Sequence, residues 1–136
     1  MSTPETSTNR RDPWRNLPPE CRLYPDSPGF HTVIRDSLGD VVRVVTRPDA
    51  GPREAILVDC IESAASIVAA RRLYPSHPVI GVLAREDAGR ILEILAGGAD
   101  GVITLAETPD TWRQCLHVVL GGGRWPEGSV GARAWG

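Results

Sequence analysis

Ala55-Ile56-Leu57-Val58 is an apolar run without polar alternation, closed by Asp59. A strand with one face in water alternates apolar and polar residues, so an unbroken run predicts a strand buried on both faces, as inside a parallel sheet. Such a strand needs a neighbour along each edge and cover above and below. Asp59 then falls at its carboxyl end. In open α/β sheets, ligands and chemistry gather in the crevice beyond the carboxyl ends of the strands. An acidic side chain there is a functional candidate, and equally a helix N-cap or a solvated loop residue.

The flanking sequence supplies the partners. Cys21-Arg22-Leu23-Tyr24 reads as a short first strand, stopped by Pro25 and followed by Asp26. Ser27-Pro28 opens a helix, with Phe30, Val33, Ile34 and Leu38 at helical spacing and Gly39 as terminator. Val41, Val42, Val44 and Val45, interrupted only by Arg43, read as a second strand. Only residues 46–54 separate it from Ala55, whereas a parallel crossover normally takes a dozen or more residues and a helix. The second helix is therefore expected to be shortened or missing, leaving part of one sheet face short of cover.

Beyond Asp59, the set Ile61, Ala64, Ala65 and Val68 marks a helix ending near Tyr74-Pro75, and Val79 to Leu83 is another buried strand. Arg85-Glu86-Asp87 leads into a helix with Ala88, Ile91, Leu92 and Leu95 on its apolar face, closed by Gly97-Gly98. Gly101 to Leu105 forms the last strand. Thr108 and Pro109 then open a helix striped by Trp112, Cys115, Leu116, Val119 and Leu120 and ended by Gly121-Gly122-Gly123. Strand and helix alternate, so the expected fold is α/β, a doubly wound parallel five-stranded sheet.

At 136 residues the chain is long enough for one domain with one core. A net charge of −2 gives no electrostatic footprint for nucleic acid or an anionic membrane. No apolar run approaches the roughly 20 residues that span a bilayer, and the polar start is not signal-like, which points to the cytoplasm. Cys21, Cys60 and Cys115 are scattered, as are His31, His77 and His117, so free thiols are expected and a zinc site is not. All 15 basic residues are arginine, which excludes Schiff-base chemistry and a Walker-type phosphate loop. Cys60 lies beside Asp59, but no base can be placed near it, so it reads as a buried structural thiol and an enzyme is not expected.

Ala99-Asp100-Gly101-Val102-Ile103, after Gly97-Gly98, resembles the entry into the last strand of bacterial response-regulator receiver domains, especially those attached to LuxR/NarL-type DNA-binding domains. Gly122-Gly123-Arg124-Trp125 with Pro126-Glu127 resembles the end of their last helix and the start of the linker. Val58-Asp59 matches the strand that carries the phosphoacceptor aspartate, and Asp26-Ser27-Pro28 the end of the first strand. The resemblance covers residues 21–128. It implies a CheY-like domain over 20–123, between a disordered tail over 1–19 and a flexible, linker-like tail over 124–136. Within the first tail, Arg10, Arg11 and Arg15 with Trp14 form a candidate docking patch; Trp125 and Trp135 in the second are either exposed or docked.

Carried over position by position, the resemblance makes Asp59 the phosphoacceptor toward a histidine kinase in a phosphorelay. Magnesium would be held by Asp59 and an acidic pair, of which only Asp26 is present, giving a weak magnesium site. A hydroxyl that reads the phosphate is replaced by Leu83 or Ala84, and the lysine that pairs with it by Leu105. Thr104 cannot take over from Leu105, because adjacent strand residues face opposite sides. The resemblance therefore implies a degenerate receiver with slow or absent phosphorylation.

Three functions stay open: a binding or dimerisation module that leaves Val41 to Val45 to be covered by another chain, as a homodimer or with a partner regulator or kinase; a regulator phosphorylated on Asp59, with Arg85 supplying positive charge; and a small-ligand sensor with a pocket beside Asp59. Related regulators continue into a helix-turn-helix, whereas this sequence stops at Gly136, so any effect on transcription is expected to pass through a partner rather than direct nucleic acid binding.

Overall fold

The computed structural model describes residues 18–126. Trp14 with its neighbouring arginines, Trp135, and most of the two expected tails lie outside the described residues. The elements are β1 (Glu20–Tyr24), α1 (Pro28–Leu38), β2 (Arg43–Val44), β3 (Ala55–Asp59), α2 (Ser66–Leu73), β4 (Val79–Leu83), α3 (Ala88–Ala96), β5 (Gly101–Thr104) and α4 (Pro109–Leu120). The strands form one parallel sheet in the order β2-β1-β3-β4-β5. In this order the winding reverses between β1 and β3, which opens a crevice at their carboxyl ends. Among the described residues, no helix is long and apolar enough to cross a membrane.

The helix starts follow local chemistry. Ser27 caps α1, its hydroxyl accepting the Phe30 N–H, with proline next in the chain. Thr108 does the same for α4 through the Thr111 N–H. Helix α2 begins later than its apolar spacing suggests. Asp59 Oδ1 accepts the Ile61 N–H at 3.1 Å and Ser63 Oγ accepts the Ala65 N–H at 3.0 Å, local bonds that hold this stretch in turns until Ser66. Its buried residues are Ile67 and Ala70, while Val68 is exposed.

The alternating residues of β3 divide between two cores. Ala55 and Leu57 join Phe30, Ile34 and Leu38 of α1 and Trp112, Cys115, Leu116 and Val119 of α4. Ile56 and Val58 join Ile67 and Ala70 of α2 and Ile94 and Leu95 of α3. The apolar face of α3 is rotated from the expected set: Ile91, Ile94 and Leu95 turn inward, and Leu92 and Ala88 are exposed. The cause is Gly81 of β4, whose missing side chain leaves the hollow that Ile94 fills; a Cβ there would lie 2.6 Å from Ile94 Cγ2.

No helix joins β2 to β3, as the short crossover predicts. The uncovered face is closed by a polar lock. Arg22 lies between Cys21 and Leu23, which face the first core, so its side chain points to the opposite face. There Arg22 Nε donates to Glu54 Oε1 at 2.8 Å, and Arg22 Nη2 donates to the Asp49 carbonyl at 3.0 Å. Glu54 is fully buried, and its Oε2 accepts from Arg47 Nη2 at 2.6 Å and from the Gly51 N–H at 2.7 Å. Burial alone would raise the Glu54 pKa, but the Gly51 N–H and the two guanidiniums outweigh it and hold the carboxyl below its ordinary range.

The second strand differs from expectation. It is reduced to Arg43–Val44, and Val41, Val42 and Val45 are buried within the chain itself, so less apolar surface is left there than the sequence suggests. The chain turns straight out of α1, with the Val41 and Val42 N–H groups bonded to the Leu38 carbonyl, which delays pairing until Arg43. At the other margin of the sheet the expected flexible segment from residue 124 is pinned at its start. The Trp125 N–H donates to the Asp100 carbonyl at 3.1 Å, the Val102 N–H donates to the Trp125 carbonyl at 3.0 Å, and Trp125 packs on the first core.

Removing the Glu54 carboxylate leaves Arg22 buried without its counter-charge, so Glu54→Ala should lose about 3–5 kcal/mol in urea denaturation at neutral pH. Because the folded-state pKa is lowered, this contribution is complete above the unfolded value of about 4.3 and disappears as pH falls through the folded value. The gap between wild type and variant should therefore narrow as the pH is lowered toward about 3.

Candidate functional site

The carboxyl ends of β1, β3, β4 and β5 define the crevice, and β3 delivers Asp59 to it in register with Val82 of β4. Asp59 is half-buried, and its Oδ1 is occupied by the Ile61 N–H. Among the described residues no arginine or histidine forms an ion pair with it. Asp26 follows β1 but is directed elsewhere: its Oδ1 lies 2.7 Å from His31 Nε2, and its side chain is 70% exposed. The described residues contain no group of three or more His, Cys, Asp or Glu side chains suited to a metal ion. Magnesium keeps several waters and takes one or two carboxylates, so Asp59 and Asp26 are the side chains that would hold it, with one Asp26 oxygen shared with His31.

The two positions that the resemblance assigns to a hydroxyl and an ammonium are hydrocarbon. Leu83 is buried in the second core and pairs with Thr104 across the sheet; Leu105 packs against the first core, its N–H donating to the Leu83 carbonyl at 2.8 Å. The Thr104 carbonyl is taken by the Trp112 indole N–H at 3.0 Å. Ala84 is exposed and carries no hydroxyl.

Arg85 is exposed, and a different arginine reaches the loop after Asp59. Arg90, in the first turn of α3, donates from Nη1 to the Ile61 carbonyl at 2.8 Å. Apolar periodicity passes over such a residue. The available signal is its place three residues after Asp87, which caps α3 through the Arg90 N–H, because that puts it in the turn nearest the strand ends.

Cys60 is fully buried next to Asp59, and burial together with the Asp59 charge pushes its thiol up to about 12. Burial likewise pushes Cys115 up to about 12, and raises Cys21 strongly. None is a nucleophile at neutral pH. A groove of about 620 Å³ opens at the opposite end of the sheet, lined by Arg53, Arg71, His77 and Asp100, and one of about 410 Å³ lies between α1 and β2.

No family model and no curated protein matches the sequence. Solved structures do match in fold. The isolated REC domain of RcsB from Salmonella enterica serovar Typhimurium, in the apo form, is 18% identical, with 85% of this chain and 97% of that chain covered at a TM-score of 0.62. A LuxR family DNA-binding response regulator from Silicibacter pomeroyi is 18% identical over 77% of this chain and 93% of that one, with a TM-score of 0.57. Against the longer RcsB response regulator of Salmonella typhimurium the identity is 17% and the TM-score 0.61, with 87% of this chain covered but only 65% of that chain. The chain has the receiver fold.

With all three thiols buried and held protonated, an aromatic disulfide reagent should release no colour from the native protein at neutral pH and three equivalents after unfolding. Fast labelling of the native protein would show that Cys60 is open to the crevice.

Proposed function

We propose that this receiver-fold chain is a regulatory module of the two-component type that acts through protein contacts, as a homodimer or with a partner regulator or kinase, while phosphoryl transfer to Asp59 is slow or absent. The observation that supports this is the pair of leucines, Leu83 and Leu105, at the carboxyl end of the sheet. Transfer would form a bond from an Asp59 carboxylate oxygen to phosphorus and break the bond from phosphorus to the donor nitrogen or acyl oxygen. Negative charge grows on the peripheral oxygens during that step, and catalysis consists largely of placing positive charge and hydrogen-bond donors against it. Two isobutyl groups offer neither.

A second reading, in which Asp59 is still phosphorylated, draws support from Arg90, one residue's backbone away from the carboxylate. Contact with a partner falls to the helices: Val68 and Leu73 of α2 and Leu92 of α3 are the exposed large apolar side chains among the described residues.

Incubation with acetyl phosphate and magnesium, read by intact mass, should give little or no adduct. A stoichiometric adduct that Asp59→Asn abolishes would replace this proposal with a phosphorylatable regulator. In sedimentation at tens of micromolar the full chain should show a dimer, and a purely monomeric boundary would rule out the homodimer and leave the partner regulator or kinase.

A further inference from the structure

The crevice holds a cation that the resemblance does not account for. Arg90 Nη1 donates to the Ile61 carbonyl at 2.8 Å, and the N–H of the same Ile61 donates to Asp59 Oδ1 at 3.1 Å. The two polar groups of one residue are thus shared between a guanidinium and a carboxylate. A guanidinium has five donor hydrogens in a rigid fork, and a single carbonyl uses one of them. The root of the arginine is fixed, because α3 is seated on β4 through Ile94 in the hollow over Gly81. The long side chain above that root has several rotatable bonds with which to leave the Ile61 carbonyl. The Cys60 thiol senses both charges, raised by Asp59 and lowered by Arg90. Of the other cationic groups after β1 and β4, His31 is paired with Asp26, and Arg85 is exposed.

We propose that Arg90 is the residue that answers negative charge gained at position 59. A tetrahedral phosphoryl-type dianion there draws the guanidinium off the Ile61 carbonyl into a two-pronged pairing, and the loop after β3 and the first turn of α3 move with it. The inference rests on the second reading above, in which Asp59 receives a phosphoryl group, and does not depend on how efficiently the chain phosphorylates itself. Its consequence is a change of output: the response enters α3, because Leu105 at the end of β5 has no polar group with which to respond.

The test installs the charge chemically. In the full chain, Asp59→Cys is alkylated to carry a phosphonomethyl group, while Cys21, Cys60 and Cys115 stay protected by burial. NMR then compares the alkylated protein with the unalkylated variant. The Arg90 Nε–H resonance should shift, with amide shifts spreading from residues 60–63 into 88–91. The shifts over 88–91 should be lost in the same protein carrying Arg90→Gln and partly restored by Arg90→Lys. Equal shifts over 88–91 with and without Arg90, or none in the parent, would overturn the inference. Acetyl phosphate uptake by the unmodified chain tests the functional reading separately, so failure of one is not failure of the other.

Discussion

Strand β3 meets water on neither face, and that constraint decides where the rest of the chain goes. Two cores must form, one on each side of the same strand, and helices must be delivered to both. The chain supplies α1 and α4 to one face and α2 and α3 to the other, one helix fewer than the three connections β2–β3, β3–β4 and β4–β5 would bring. A loop covers what remains, fastened by an ionised Glu54 sealed from solvent. An isolated carboxylate could not be buried there. This one is tolerated because Arg22, Arg47 and the Gly51 N–H saturate its oxygens.

Local chemistry was legible in the sequence, and long-range pairing was not. Ser27-Pro28 and Thr108-Pro109 mark helix starts that the structure places at the same residues, because a cap is satisfied within one turn. The missing helix was legible as a length. The valines from Val41 to Val45 misled, because burial in the core beneath α1 and burial in a strand select the same side chains. Arg22 and Glu54 carry no mutual signal at a separation of 32 residues. Asp59 was visible because it closes an apolar run, while Arg90 was hidden as one polar residue on a helix.

The crevice that results is an unusual setting for a carboxylate. Its nearest strand neighbours are aliphatic, Asp26 is turned toward His31, and the Arg90 guanidinium is held by a backbone carbonyl. Such a site holds the following loop in place through the bond from the Ile61 N–H.

The tryptophan pairing at β5 carries a consequence for association. A sheet margin with unpaired N–H and C=O groups invites a foreign strand to add to it, the usual route to edge-to-edge aggregation. Here Trp125 takes the Asp100 carbonyl and the Val102 N–H, and the Trp112 indole takes the Thr104 carbonyl. The opposite margin is a strand of only 2 residues, too short to serve as a template. The chain's own backbone at Trp125 thus occupies one margin and the other offers only two residues, so both ends of the sheet are poor sites for a foreign strand to add.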